Sequence, residues 1–177
     1  MALLPILIHP DPRLRQRTAS VTDFGADLQR LIDDMFETMY AAPGVGLAAN
    51  QVGVQLRLAV INCSLDKTQP EPRVLVNPEI LEPQEPEPME EGCLSVPGAQ
   101  EMVKRFRKLR LRAQDRFGQP YELEAEGLLA QCIQHEIGHL NGQLYIDLLS
   151  ELKRQRLLKK LQKENHKENH QDDRRED

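Results

Sequence analysis

The stretch GLLAQCIQHEIGHLNG, residues 127–142, decides the fold. Its apolar residues recur at spacings of three and four, which is typical of a helix that is buried along a stripe. We predict a helix over residues 127–140 that ends at Asn141-Gly142, because these residue types readily adopt the left-handed conformation that terminates helices. Since few charged residues interrupt this segment, we expect the helix to be buried on several sides.

Two histidines, His135 and His139, stand four positions apart on this helix. Four residues advance about 6 Å and slightly more than one turn, so both side chains project from one face and can hold one metal ion. Glu136 lies beside that face, where it can exchange a proton with a water on the metal. The alternative is that the two histidines bind no metal and only pair with each other or cap the helix on a solvated face. The apolar surroundings favour the metal site, because buried histidines need a partner.

A catalytic metal site needs a third protein ligand and an open coordination position. After His139 the chain reaches Asp147 and Glu151 without a recognisable motif for a third ligand. Cys93 is the better candidate, since it lies in an irregular segment between glycine and leucine, where a thiolate would complete a mixed sulfur and nitrogen site. For Cys63 a small buried apolar residue is the preferred interpretation.

The segments around the central helix predict an α+β fold. β-Branched runs bounded by turn residues indicate strands, and a turn at residues 115–120 indicates a hairpin. The proline-rich, acidic residues 83–98 favour extended structure, and residues 44–51 form a glycine-rich loop. We expect antiparallel sheets packed around a central HExxH-bearing helix, with an N-terminal and a C-terminal helix. The other predicted elements are helices 23–39 and 150–163 and strands 57–62, 73–77, 103–113 and 121–125.

The chain has 177 residues, which fits one domain. We predict a single catalytic domain over residues 1–163. Residues 164–177 contain no apolar residue, so we predict a disordered charged tail that cannot repay the entropy of ordering.

Composition narrows the class of protein. Hydrophobic residues make up 40% and charged residues 29%, a balance typical of globular proteins. Lys+Arg total 23 and Asp+Glu total 28, so the net charge of −5 excludes a generally basic nucleic-acid binder. The apolar start at residues 2–8 is too short for a signal peptide. We expect a cytoplasmic monomer without a membrane contact, in which the three cysteines are free thiols or metal ligands.

Three segments carry family information: GVGLAANQ at residues 44–51, EGCLS at residues 91–95 and QHEIGH at residues 134–139. Together they resemble the peptide deformylases of bacteria. They occur in the order of that family and with roughly its spacing, and the resemblance extends from Pro10 to about Lys160. It implies metal-dependent hydrolysis of the N-formyl group on the N-terminal formyl-methionine of nascent peptides, with release of formate.

The resemblance also implies roles for individual residues. The metal ligands would be Cys93, His135 and His139, with Glu136 as general base and then general acid. The side chain of Gln51 and the backbone amide of Leu94 would be oxyanion donors. Around the methionine pocket would lie Val45, Gly46, Glu90, Leu128 and Cys132. For Glu90 and Glu91 a solvated acidic loop is the alternative, and for Gln51 a polar loop residue.

One divalent metal ion per chain is implied, with iron(II) as the native ion. Zinc, nickel or cobalt could replace it in the purified protein, since cysteine and histidine ligands suit zinc equally. The sequence departs from the family at Gly138, where aspartate is common, and at Gln100, where arginine is common. The aspartate would pair with an arginine equivalent to Arg105, so the support of the metal ligands and the turnover could both be reduced.

Two other functions stay open at this point. An HExxH endopeptidase is one alternative, and it depends on whether Cys93 completes the metal site. A non-catalytic relative that binds the ribosome is the other. The helix predicted over residues 150–163 carries a basic face that could contact ribosomal RNA, although a core-packed helix with a solvated cationic face would look the same. That basic face consists of Lys153, Arg154, Arg156, Lys159, Lys160 and Lys163.

Overall fold

The structure, a computed structural model, describes residues 2–64, 66 and 68–172 of the chain. Within these residues the fold has three α-helices and five β-strands. The helices are α1 (Ala26–Ala41), α2 (Leu128–Leu140) and α3 (Glu151–Asp172). The strands are β1 (Gly46–Ala48), β2 (Leu58–Asn62), β3 (Pro72–Cys93), β4 (Val96–Gln114) and β5 (Pro120–Glu126).

The strands form one antiparallel sheet in the order β1-β2-β3-β4-β5. The α+β class is confirmed, but the strands join in a single sheet rather than in several. The reason is the length of β3 and β4, because the proline-rich residues 83–93 continue β3 instead of forming a separate connection. The β3–β4 ladder shifts register between Val76 and Glu79 and between Leu81 and Gln84. Such irregularities bend and twist long strands.

Helix α2 lies against all five strands and is the central element of the fold. The apolar residues Ile133, Ile137 and Leu140 are buried on it, as the sequence pattern predicts. The predicted stop is also observed, since α2 ends at Leu140 and Gly142 has a φ of 78°. This burial brings His139 into the interior together with the apolar side chains of the helix.

Helix α1 packs an apolar stripe against β1 and β2. The stripe consists of Leu28, Ile32, Met35 and Met39, all of them buried. Helix α3 packs through Leu157, Leu158 and Leu161 against a cluster that includes Val96 and Val103. Leu152 is 58% exposed, so it does not belong to the buried side of α3.

The C-terminal helix extends beyond the predicted end at Lys163. Its backbone is helical through Asp172, and Ser150 precedes it as the cap, with its Oγ accepting from the backbone N–H of Lys153 at 3.3 Å. The segment mixes good helix formers (lysine, glutamate and glutamine) with weaker ones (asparagine and histidine), so its helix depends on the packed turns that precede it. Residues 164–172 of the predicted tail are therefore helical, and residues 173–177 lie outside the described residues. No helix in the described part of the chain is long and apolar enough to cross a membrane.

Candidate metal centre

Three side chains that the sequence analysis proposes as metal ligands meet in the structure. Cys93 lies at the end of β3, and His135 and His139 lie on α2. The Nε2 atom of His139 lies 3.3 Å from Cys93 Sγ and 3.1 Å from His135 Nε2. All three potential ligand atoms lie within 4.8 Å of one another. Metal–ligand bonds of about 2.0–2.3 Å place the ligands of a tetrahedral ion about 3.3–3.6 Å apart, so the cluster has the size of a metal site.

The protonation states of these side chains are also compatible with the binding of a metal cation. Burial lowers the pKa of His139 well below its ordinary value, so the imidazole is neutral and offers a lone pair. Burial raises the pKa of the Cys93 thiol to about 12, so a nearby cation is needed to hold it as a thiolate. Among the described residues, His139 Nδ1 and Glu136 Oε2 are buried without a hydrogen-bond partner. A divalent transition metal would suit this sulfur and nitrogen set.

A buried ion pair orients His135 from the Nδ1 side of its ring. Glu91 Oε1 forms a hydrogen bond with His135 Nδ1. Arg105 binds the same carboxylate twice, through Nε to Oε2 at 2.9 Å and through Nη2 to Oε1 at 2.5 Å. Partners of this kind fix the ring orientation of a metal-ligating histidine. Glu91 is therefore buried, and the prediction of a solvated acidic loop is wrong for this residue. Position 138 is a glycine and offers no carboxylate, and Arg105 pairs with Glu91 instead.

The charge state of Glu91 follows from this pairing. Burial alone would raise the pKa of Glu91, but the hydrogen bonds from Arg105 and His135 outweigh it and lower the pKa to about 2. A carboxyl whose pKa is lowered by folding stabilises the fold at neutral pH, and this stabilisation is lost as the pH falls towards 2. Glu91 is thus ionised throughout the range in which the protein would work.

Glu136 lies next to the three potential ligands and is 3% exposed. Its Oε1 is 4.0 Å from His135 Nε2. Burial, with repulsion from Cys63 and Glu91, raises the pKa of Glu136 well above its ordinary value. A carboxylate that is buried beside a metal site and takes up a proton readily is suited to proton transfer.

Gly46 makes the position of Glu136 possible. A Cβ atom at Gly46 would lie 2.9 Å from Glu136 Oε1 and 3.0 Å from its Cδ. Strand β1 therefore passes over the carboxylate at a distance that a glycine allows. The glycine-rich segment, predicted as a loop, contains this short strand and a 3-10 turn at Ala49–Val52.

We expect Gly46→Ala to lower the catalytic efficiency, kcat/KM, about 10–100-fold with little loss of bound metal. The added methyl group must displace Glu136, and a misplacement of about 1 Å at a catalytic group costs on the order of 10²-fold in rate. Gly138→Ala is the matched control, because a Cβ atom there meets only Gln143 O, at 3.9 Å. Equal activities of the two variants would show that the contact with Gly46 does not matter.

Gln51 points its amide towards the centre. Its Oε1 accepts from the backbone N–H of Ala48 at 2.9 Å. Its Nε2 donates to Ser95 Oγ at 3.0 Å and lies 3.8 Å from Cys93 Sγ. Leu94 occupies the turn between β3 and β4, directly after Cys93. Sequence reasoning missed Ser95, although this residue lies within the quoted EGCLS segment.

An open cavity of about 720 Å³ adjoins the centre and is lined by Cys93, His135, Glu136 and Gln51 among others. All five residues proposed for the methionine pocket line it as well: Val45, Gly46, Glu90, Leu128 and Cys132. The side chain of Glu90 is exposed, and its backbone carbonyl accepts from Gln131 Nε2 at 2.7 Å. Gln131, which the sequence did not single out, and Gln100 also line the cavity.

Comparison with known proteins agrees with this geometry. The family model for polypeptide deformylase matches residues 3–155. The peptide deformylase of Azotobacter vinelandii is 60% identical over 158 residues, which cover 89% of this chain and 93% of the relative. The peptide deformylase of Hahella chejuensis is 57% identical over 158 residues, with the same coverage of 89% and 93%.

Solved structures give the same result for the fold. The crystal structure of a peptide deformylase from Legionella pneumophila matches with a TM-score of 0.88 and 52% identity, covering 94% of this chain and 98% of the other. A peptide deformylase from Ehrlichia chaffeensis, solved in complex with actinonin, matches with a TM-score of 0.86 and 38% identity over 93% of this chain and 98% of the other.

Proposed function

Since the chain belongs to the polypeptide deformylase family, we propose that it removes the formyl group from the N-terminal formyl-methionine of newly made proteins and releases formate. The observation that carries the proposal is the meeting of Cys93, His135 and His139 beside the buried Glu136, next to an open cavity. A helix with two histidines and a glutamate needs such a third ligand to become a hydrolytic site.

Cys93, His135 and His139 would hold one divalent metal ion, and we propose iron(II) as the native ion. When bound, the metal supplies a water of lowered pKa and a Lewis acid for the formyl carbonyl. Three protein ligands are the number that leaves a coordination position for water. Glu91 and Arg105 keep His135 in the orientation that this role requires.

Glu136 would move the proton in both halves of the reaction. It takes a proton as water attacks the formyl carbon, and it returns that proton to the leaving amine of methionine. Burial raises its pKa, which brings the carboxylate closer to the range where acceptance and release of a proton are both favourable near neutral pH. Formate and a free N-terminal methionine are the products.

Gln51 and Leu94 would stabilise the oxyanion that develops on the formyl oxygen. The Gln51 amide is held by Ala48 and Ser95 before substrate arrives, so its orientation towards the centre is set in advance. The backbone N–H of Leu94 donates to no other backbone group in the loops and turns that the structure describes. Preorganised donors of this kind usually supply the largest single catalytic contribution.

The methionine side chain would occupy the cavity between Val45, Leu128 and Cys132. A flexible thioether chain fits an apolar wall of this composition. The backbone of β1 at Gly46 lies at the cavity, where it could pair with the extended backbone of the substrate.

The proposed function is tested by formate release from a formyl-Met peptide, with protein purified without oxygen and loaded with a defined amount of iron(II) or zinc. We expect formate in equal amounts with free methionyl peptide. Cleavage of internal peptide bonds would indicate the endopeptidase instead. A metal-loaded chain that releases no formate but binds ribosomes would indicate the non-catalytic relative.

We further propose that α3 contacts ribosomal RNA, in keeping with a cytoplasmic monomer that acts on nascent chains. Leu157 and Leu161 pack inward, whereas Lys159, Lys160 and Lys163 are exposed. Both sequence interpretations of this helix are therefore compatible, because the apolar side packs on the domain and the basic side remains accessible.

Neutralising Lys159, Lys160 and Lys163 to glutamine should weaken ribosome co-sedimentation. We expect the slope of log affinity against log salt to fall by roughly 2–3, about 0.7–0.9 for each lost phosphate contact. The exposed pair Lys104 and Arg107 on β4, changed in the same way, is the control. Identical binding by both variants would exclude α3 as the contact.

A further inference from the structure

A second cavity of about 180 Å³ lies next to the metal centre. Of the residues that line the larger cavity, it shares only His135. Its other walls come from the last turn of α2 and the segment that follows, and from Arg105 on β4. The mechanism proposed above makes no use of this space.

Arg105 brings an incompletely used guanidinium to this cavity. Its Nε and Nη2 atoms bind Glu91, whereas Nη1 has no hydrogen-bond partner among the described residues. The Arg105 side chain is only 11% exposed. A guanidinium has two edges that can each bind a carboxylate through two parallel hydrogen bonds, and here one edge remains available.

Gly138 lines the same cavity and leaves room in it because it has no side chain. A Cβ atom at this position would have only one neighbour within 4 Å, Gln143 O at 3.9 Å. The Gly138 carbonyl already accepts from the backbone N–H groups of Asn141 and Gln143. The helix end therefore presents little unsatisfied negative charge to the cavity.

The one acidic side chain among the lining residues, Asp147, is already paired. Its Oδ2 accepts from Arg15 Nη1 at 2.5 Å and from the backbone N–H of Leu144 at 3.1 Å. Glu91, the nearest partner of Arg105, occupies the other edge of the guanidinium. The cavity therefore combines a buried cationic donor with open space and a neutralised acid.

We propose that this Arg105–Gly138 cavity binds a small carboxylate of the size of formate or acetate. The carboxylate pairs with the unused edge of Arg105. Arg105 then lies between two carboxylates, which restricts its motion and, through Glu91, the motion of His135. The site thus couples the concentration of a small anion to the rigidity of a metal ligand.

The test is thermal unfolding of the full, metal-loaded chain in sodium formate and in sodium chloride at equal ionic strength. We expect formate to raise Tm saturably, by about 3–5 °C at ten times its Kd. Gly138→Ala removes the helix glycine and adds only one methyl group to the cavity, so it should keep most of this response. Gly138→Asp places a carboxylate on the chain itself, so its formate response should fall to the chloride level.

Gly138→Asn fills the same space without charge and should also lose the response, so it decides the question if the aspartate variant does not fold. An unchanged formate shift in the filled variants would mean that formate binds elsewhere, for example at the metal. No formate shift beyond chloride in the original chain would overturn the site. Because the readout is Tm, the result is independent of whether the chain releases formate from peptides.

Discussion

Glu136→Gln is expected to keep the metal and to lower formate release about 10³–10⁴-fold. The amide preserves the size of the side chain in a position that is 3% exposed, but it cannot accept a proton. Loss of general acid–base catalysis typically costs about 10²–10⁴-fold, and one residue would serve both proton transfers here. The measurement is single-turnover formate release from a formyl-Met peptide, together with metal content.

Glu124→Gln is the matched control for this change. The Glu124 side chain is 81% exposed, and its ion-pair partner is Arg110 rather than a residue of the metal centre. It should retain the original activity. Near-normal turnover of the Glu136 variant with its metal in place would mean that another base operates, and the proposed role of Glu136 would be wrong.

The parts of this fold that could be predicted from sequence are those set by local pattern. Sixteen residues of sequence contain the apolar spacing of helix α2, its end at Asn141-Gly142 and the spacing of its two histidines. The structure has each of these features. The α+β class follows from the β-branched runs before it. To predict the ligand cluster, Cys93 had to be assigned to the same site as the distant helix α2. Two observations supported this assignment: no other third-ligand motif follows His139, and the segments resemble the family.

The parts that could not be predicted depend on contacts between distant segments. The sequence does not show that the acidic, proline-rich residues 83–93 continue β3, because their period is weak and prolines usually disfavour strands. It also gives no local sign that Glu91 is buried between Arg105 and His135. A carboxylate in an acidic run is usually solvated, and only the β3–β4 pairing brings its partner to it.

The two departures from the family have different structural settings. Gly138 opens the space beside Arg105, and the Arg105–Glu91 pair remains intact. Gln100 lines the larger cavity, into which we propose that the peptide continues beyond methionine. The first departure therefore lies beside the support of a ligand, whereas the second lies in the proposed peptide-binding cavity.

Cys93→Ser should lose both metal and activity, and His139→Ala should do the same. Each removes one of three converging ligand atoms, so the fall in metal affinity should exceed the 10–100-fold that is typical when a supporting partner is lost. Metal content after anaerobic loading and desalting should drop from about one per chain to a small fraction. Cys63→Ser makes the same chemical change at a half-buried cysteine whose Sγ lies 3.6 Å from Val45 O, and it should keep the metal. Full retention by Cys93→Ser would remove Cys93 from the site, and the third ligand would then have to be sought elsewhere.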